Sequence, residues 1–259
     1  MQLGLWIALL GAAGPAAAAQ TADALIAKNI EARGGLEKLQ AIQSMRLTGT
    51  LSIGDATMPS LLEVKRPNKT RWEFTLDGQT VVQAYDGTVA WAVVPFTGKP
   101  EPQRMSAEDW KDMELQADMD GPLVNYQAKG HRVEVMGVEK LGGGEAWRLK
   151  VTLRNGDVRD IYLDLKTHLQ VLTVARRTIE GKEVEVASEV GDYRRVMDVM
   201  LPHSFETKAR GITRKQSVRF EKIDINVAID DSRFAMPVAK TSQTQVPEPE
   251  PWSGAPKGR

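Results

Sequence analysis

Apolar and polar side chains along this chain follow two different periods. From Met45 onward the apolar positions recur mainly at every second residue, which is the spacing of a half-buried strand. Runs of this kind are Met45 to Ile53, Leu61 to Lys65, Thr70 to Leu76, Thr80 to Tyr85 and Val89 to Val94, separated by Pro67-Asn68, Asp77-Gly78 and Asp86-Gly87. A second series covers His131 to Glu139, Ala146 to Leu153, Val158 to Leu165, Gln170 to Thr178, Lys182 to Val190, Leu201 to Thr207 and Ile212 to Ile225. Its turns include Gly142-Gly143-Gly144, Asn155-Gly156, Lys166-Thr167 and Glu180-Gly181.

Two segments break this pattern with helical spacing. Thr21 is placed to cap a helix carrying Leu25, Ile26 and Ile30 and stopped by Gly34-Gly35, and a short helix follows from Leu36 to Ile42. Ser106, with Asp109 three residues on, opens an amphipathic helix whose Trp110, Met113 and Ala117 share a face. A helical stretch is also expected between Gly121-Pro122 and about Tyr126, and a helical turn from Asp230-Asp231 to Phe234. Strands in two long meanders with no βαβ alternation argue against a parallel α/β scaffold. The fold class expected is mainly β with a helical cover: a curved antiparallel half-barrel of about eleven strands, with α-helices closing the concave face.

Strand alternation then separates the faces. Trp72, Phe74 and Leu76 oppose Arg71, Glu73 and Thr75, while Trp147, Leu149, Val151 and Leu153 oppose Arg148, Lys150 and Thr152. Trp91 with Val93, Ile161 with Leu163 and Leu165, Leu201 with Phe205, and Val218 with Phe220 give further apolar faces. All are expected to point to one concave surface, where they would line a lipid-binding cavity under a lid carrying Trp110, Met113 and Ala117. Any half-buried sheet shows the same alternation, so each of these residues also reads as ordinary core. Burying one C16 chain in such a cavity would contribute on the order of 12 kcal/mol before ordering costs, enough to hold a lipid without covalent chemistry.

The ends are of another character. The first charged side chain is Asp23, and before it an apolar run from Leu3 to Leu10 passes through Gly14-Pro15 into Ala16-Ala17-Ala18-Ala19, as in a secretory signal peptide cleaved near Ala19. The run is too short and too rich in Ala and Gly for a membrane anchor. Residues 1–19 are therefore expected to be a signal peptide, 20–237 the folded domain and 238–259, with prolines 247, 249, 251 and 256, a disordered tail. There is no Cys among the 259 residues, which excludes a thiol nucleophile, a Cys-based zinc site and a lipidated cysteine. A periplasmic protein fits these features.

At this point the residues resemble a family. Gly34-Gly35-Leu36-Glu37-Lys38-Leu39-Gln40-Ala41-Ile42 running into Met45-Arg46-Leu47-Thr48-Gly49 is similar to the opening of LolA-like outer-membrane lipoprotein-sorting proteins. So is Ile161-Tyr162-Leu163-Asp164-Leu165-Lys166-Thr167-His168-Leu169, followed by Gly191-Asp192-Tyr193-Arg194 and Leu201-Pro202. The likeness runs from about Ala22 to Pro237. It implies an incomplete barrel of about eleven strands closed by helices, with an apolar cavity for acyl chains. Related folds serve lipoprotein carriers, glycolipid-binding lipoproteins and regulators of envelope stress signalling.

Charge and chemistry add limits. Lys plus Arg equals Asp plus Glu at 34 each, so no global field attracts nucleic acid. Locally, residues 106–120 carry six acidic side chains against Lys111, a balance of −5, and 206–222 carry six basic against two acidic, a balance of +4. These runs could steer two partners, and they read more simply as solvated faces attracting each other. His131, His168 and His203 lie in unrelated segments and are expected at the surface or in turns, so no metal site is expected. Asp118-Met119-Asp120-Gly121 begins like a calcium loop but puts Gln127 where a bidentate Glu belongs. Arg176-Arg177 and Arg194-Arg195 could meet a lipid headgroup or be exposed strand-end arginines. The function expected is a non-enzymatic, cofactor-free, monomeric periplasmic carrier of lipid or lipoprotein acyl chains, moving them toward the outer membrane between inner- and outer-membrane protein partners. The alternative is an envelope protein-interaction or stress-sensing module of the same fold.

Overall fold

A computed structural model describes residues 20–237, apart from Glu180 and Arg214. The expected signal segment 1–19 and the Pro-rich tail 238–259 lie outside the described residues. Helix α1 (Ala22–Ala32) is capped by Thr21, whose hydroxyl accepts from the Ala24 amide at 3.2 Å. It ends at Gly34, where φ is +116° and a Cβ would lie 2.5 Å from the Asp198 carbonyl oxygen, so only glycine fits between this turn and the sheet. Helix α2 (Leu36–Ala41) follows directly.

The strands are β1 (Ser44–Ile53), β2 (Ala56–Lys65), β3 (Lys69–Leu76), β4 (Gln79–Tyr85), β5 (Ala90–Val94), β6 (Lys99–Arg104), β7 (Arg132–Leu141), β8 (Gly144–Thr152), β9 (Val158–Asp164), β10 (Gln170–Ile179), β11 (Lys182–Val196), β12 (Val199–Ala209) and β13 (Gln216–Ile225). They form one open, curved, antiparallel sheet in the order β6-β5-β4-β3-β2-β1-β13-β12-β11-β10-β9-β8-β7. The two meanders thus meet where β1 pairs with β13, and each ends at a free edge. Helix α3 (Ala107–Ala117) and the turns after it join β6 to β7, so this connection runs from one edge of the sheet to the other. At the β1–β13 seam, a bulge falls between Thr48 and Gly49, and a Cβ on Gly49 would stand 2.0 Å from the Arg219 carbonyl oxygen.

Among the described residues there are thirteen strands where about eleven are expected; β6 is added, and β2 is longer than its alternation predicts. Strand β6, Lys-Pro-Glu-Pro-Gln-Arg, carries no apolar alternation and two prolines, which only an edge strand tolerates. Strand β2 begins at Ala56 rather than Leu61, with Pro59 placed before β3 pairs to it at Ser60. Residues 119–130 form successive turns and not the expected helical stretch, while the terminal helical turn is present as a 3₁₀ turn at Asp231–Arg233.

Helices cover the inner face of the sheet, and the last described segment covers part of the outer face. On the inner face α2 places Leu39 and Ile42 over β1, β2, β12 and β13, and α1 places Leu25 and Ile26 over β8 and β9. On the outer face of β2 to β5, the C-terminal segment lies as a strap, with Phe234 fully buried and Met236 against Val82, Ala84 and Trp91. The indole of Trp91 donates to the Phe234 carbonyl at 2.8 Å, and Arg71 sits over its ring. Beneath the same strap Glu63, 1% exposed, accepts from Arg46 and Arg233, each at 2.8 Å. A buried carboxylate held by two guanidiniums is satisfied, and would be costly with either removed.

Candidate functional site

Register decides which apolar side chains share the inner face. Phe74 stands opposite Ser60 and Val81, and Trp72 opposite Leu62 and Gln83. Across the seam Leu51 is flanked by Met58 and Val218, and Val218 by Phe205. Trp72, Phe74, Leu76, Phe205, Val218 and Phe220 therefore belong to one cluster, as the alternation predicts. The cluster is layered. Leu51, Met58 and Phe220 are 1 to 3% exposed and form a packed floor, whereas Trp72, Phe74, Leu76 and Phe205 are only half-buried. Aromatic rings fix the upper layer: Trp72 lies edge-on to Phe74 at 5.7 Å and donates from Nε1 to the Ser60 hydroxyl at 2.7 Å, and Phe205 lies edge-on to Phe220 at 6.1 Å.

Leu149, Val151, Ile161 and Leu163 also face inward but form a separate cluster, each 0 or 1% exposed beneath Leu25, Ile26 and Leu123, with Trp147 half-buried at its side. Trp91 and Val93 do not join either group. Trp91 pairs with Ala84 and Val93 with Val82, positions that alternate with the inward Val81, Gln83 and Tyr85, so both side chains occupy the outer face under the strap. The single concave surface expected from alternation is corrected at this pair, because the β4–β5 turn sets a parity that the sequence of β5 alone does not reveal.

Helix α3 is the part of the cover that spans the sheet. Ser106 caps it, accepting from the Asp109 amide at 3.2 Å while its own hydroxyl donates to the Asp109 carboxylate at 2.7 Å. Met113 and Ala117 are buried against Tyr85 and Ala90, but Trp110, expected on the same face, is 42% exposed. Beyond the helix, Asp120 accepts from Arg66 at 2.6 and 2.8 Å, and Asp118 from Lys129 at 2.6 Å. The carboxylates that begin like a calcium loop are thus already held by cations. Burial pushes the Asp120 carboxyl up, but hydrogen bonds and charge from Arg66, with Lys129 and Arg33, outweigh it and hold it below the usual carboxylate range. On the other side of the helix, Asp112 forms an ion pair with Arg177 at 2.5 Å and lies 3.7 Å from Arg159, and Lys111 lies 3.7 Å from Asp157. Acidic α3 therefore pairs with β9 and β10.

The sequence predicts an apolar hollow under this cover. A charged cleft of about 760 Å³ opens between α3 and the ends of β8 to β11, lined by side chains from both faces of the sheet, while the floor residues Leu51, Met58 and Phe220 are packed. His131 accepts from the Arg154 amide at 3.1 Å and His168 occupies a turn with φ of +56°. His203, expected at the surface, is 4% exposed, with Nδ1 3.0 Å from the Leu201 carbonyl. Among the described residues no group of His, Cys, Asp or Glu could hold a metal ion. Arg159 and Asp112 were not singled out by sequence; the available signal was an arginine at the inward parity of Ile161 and Leu163.

No family model and no curated protein matches the chain. Solved structures do. A LolA superfamily protein from Nitrosomonas europaea superposes with a TM-score of 0.58 at 10% identity, covering 83% of this chain and 97% of that one. A domain classed with outer-membrane lipoprotein-sorting proteins from Vibrio parahaemolyticus gives 0.53 at 11% identity, covering 81% and 97%. A DUF1329 family protein from Desulfovibrio piger gives 0.53 at 11%, covering 83% and 98%. This chain has a LolA-like fold, and at such identities the likeness is one of fold.

Proposed function

We propose that the protein binds the hydrocarbon part of a lipid, or the acyl chains of a lipoprotein, against the half-buried aromatic layer of its inner face, with α3 as the movable cover. The observation that carries this reading is the layering of the inner face: Trp72, Phe74, Leu76 and Phe205 keep solvent exposure above a floor that is already packed. A fold that only had to be stable would gain by burying them, since full burial of such a side chain contributes about 1.5–3 kcal/mol. Helix α3 is the natural cover to move, because its fully buried apolar side chains are Met113 and Ala117, Leu115 is only partly buried against the β8–β9 cluster, and its other ties are polar. The working cycle is that of an exported periplasmic monomer, loaded at one membrane and unloaded toward the outer membrane by a competing acceptor. The N-terminal sequence and two structural neighbours, one described as a LolA superfamily protein and one as an outer-membrane lipoprotein-sorting domain, support that setting. No step of it requires catalysis or a cofactor.

A second reading, a protein-interaction module of the same fold, is favoured by one observation: the floor is shut and the open cleft is charged. Native mass spectrometry of the protein purified from cells, followed by lipid extraction, separates the two. A mass excess that extracts as lipid is expected. A protein that is free of lipid and fails to bind an apolar dye displaceable by fatty acid is the interaction module.

A further inference from the structure

The charged cleft contains two arginines brought onto the inner face by register. Arg159 pairs with Val151 on one side and Ala175 on the other, both buried inward residues, and Arg177 follows Ala175 by two on the same strand. The two guanidiniums therefore rise from neighbouring strands into one space, on the same face as the aromatic layer. They share one carboxylate. Asp112 of α3 holds Arg177 Nη1 at 2.5 Å, but its other oxygen is 3.7 Å from Arg159 Nη2, beyond hydrogen-bond distance. The Arg159 side chain is 17% exposed, and its Nε is buried with no partner. A buried guanidinium with a free donor, beside a second guanidinium and open volume, is an under-satisfied group.

Several neighbouring charges have partners of their own, while Glu108 and Glu185 line the same cleft. Asp157 faces Lys111 at 3.7 Å, Asp109 is tied to the Ser106 hydroxyl, Arg148 of the opposite face is held by Glu139 and Asp160, and Arg176 by Glu183. The titration of the pair agrees with this geometry. Burial, then Arg177, lowers Arg159, and burial pushes the Asp112 carboxyl up in spite of both arginines. At Asp112 burial thus outweighs the attraction of both arginines.

Resting on the lipid reading above, we propose that Arg159 and Arg177 seat the oxyanion head group, phosphate or carboxylate, of an amphiphile whose chain lies on the inner face, and that this head group displaces Asp112 and so frees α3. An oxyanion carries several acceptor oxygens and can engage two guanidinium forks together, which one carboxylate here does not. Asp112 is the internal stand-in for the ligand. Loading and opening are then one exchange: the head group replaces the ion pair that held the cover shut.

Calorimetric titration of the full-length protein with dodecyl phosphate, the neutral dodecyl maltoside, both below their micelle concentrations, and inorganic phosphate tests this. Dodecyl phosphate is expected to bind at least about tenfold tighter than dodecyl maltoside, and inorganic phosphate to compete only at millimolar concentration. Arg159→Gln with Arg177→Gln is expected to bring dodecyl phosphate down to the maltoside level, leaving the maltoside affinity unchanged. Arg177→Gln alone, at a more exposed position, gives the same direction should the double variant fold poorly. Asp112→Asn, without the internal competitor, raises dodecyl phosphate affinity roughly threefold. Equal affinity for both detergents, or no effect of the arginine or Asp112 variants, overturns the proposal and leaves the lipid reading standing. Inorganic phosphate binding as tightly as dodecyl phosphate overturns it in favour of a free oxyanion. Binding of neither detergent overturns both readings.

Discussion

The inner faces of the two meanders carry the same alternation of apolar side chains and have different fates. On β8 and β9, Leu149, Val151, Ile161 and Leu163 lie under α1 and are at most 1% exposed. On β3 and β12, Trp72, Phe74, Leu76 and Phe205 lie beside α2 and α3 and stay half-buried. The difference comes from the cover and not from the strands. Helix α1 is apolar on its packed side and brings Leu25 and Ile26 directly down. Helix α3 is acidic, fully buries Met113 and Ala117, rests Leu115 on the β8–β9 cluster, and is otherwise held by ion pairs at its flanks. A sealed region stores stability, while a region under a charged and weakly anchored cover can exchange its occupant.

The largest effect is expected where the seal is complete. Leu149→Ala removes a side chain with no exposed area and leaves a cavity among Val135, Ile161 and α1, at a cost of about 3–4 kcal/mol. For a domain of this size that lowers Tm by roughly 6–16 °C. Lipid affinity per folded molecule is expected to be unchanged. A loss of lipid binding together with a small loss of stability would mean that the sealed face is the binding face, and the comparison would be reversed.

Next in size is the tie beyond α3. Asp120→Asn removes the carboxylate that Arg66 holds at 2.6 and 2.8 Å, in a pair 12% and 22% exposed, at a cost of about 2 kcal/mol. Because Asp120 titrates below its unfolded value, its contribution is fully present above the ordinary carboxylate range and is lost as pH falls through the folded value. Denaturant titrations of wild type and variant should therefore differ at pH 7 and converge only as pH falls below the ordinary carboxylate range, through the depressed folded value of Asp120. A gap that persists undiminished at acid pH would show that the loss is one of packing.

Much of this contrast could be read from the sequence and part could not. Thr21, Gly34 and Ser106 mark the helix ends by local rules, because caps and positive φ depend on one or two residues. The alternation in β3, β8 and β9 gives the correct inward sets. Trp91 and Val93 escape, since their face depends on how β5 registers with β4, and so does the strap of Phe234 that covers them. Strand β6 escapes because its prolines read against a strand and its edge position is a property of the whole sheet. Arg159 and Asp112 lie forty-seven residues apart and meet only because α3 crosses between the sheet edges, so no local spacing announces them.

A smaller effect on stability is expected at Phe74. It is half-buried, so Phe74→Ala should cost about 1–2 kcal/mol, below the 3–5 typical of a sealed aromatic. Affinity for a fatty-acid probe is expected to fall about tenfold, since the ring offers its free face to the chain. This is the reverse of the Leu149 pattern, and measuring both quantities in both variants tests whether the layers are functionally distinct. Equal ratios of stability loss to affinity loss would merge the two regions into one core.

The smallest effect is expected at Trp110. Its ring is 42% exposed on α3 while Met113 and Ala117 face inward, so it contributes little to holding the helix down. Trp110→Ala should change stability by no more than about 0.5 kcal/mol, the range of surface substitutions away from caps and cores. If α3 lifts as a rigid cover, Trp110 is solvent-facing before and after, and probe affinity should change by less than about twofold. Met113→Ala on the buried face should instead loosen the cover and raise the rate of probe entry, measured by stopped-flow fluorescence. A tenfold loss of affinity in Trp110→Ala would require the helix to rotate and present this ring to the ligand. The cover would then be part of the binding surface, and the division between a sealed half and an exchanging half would run through α3 itself.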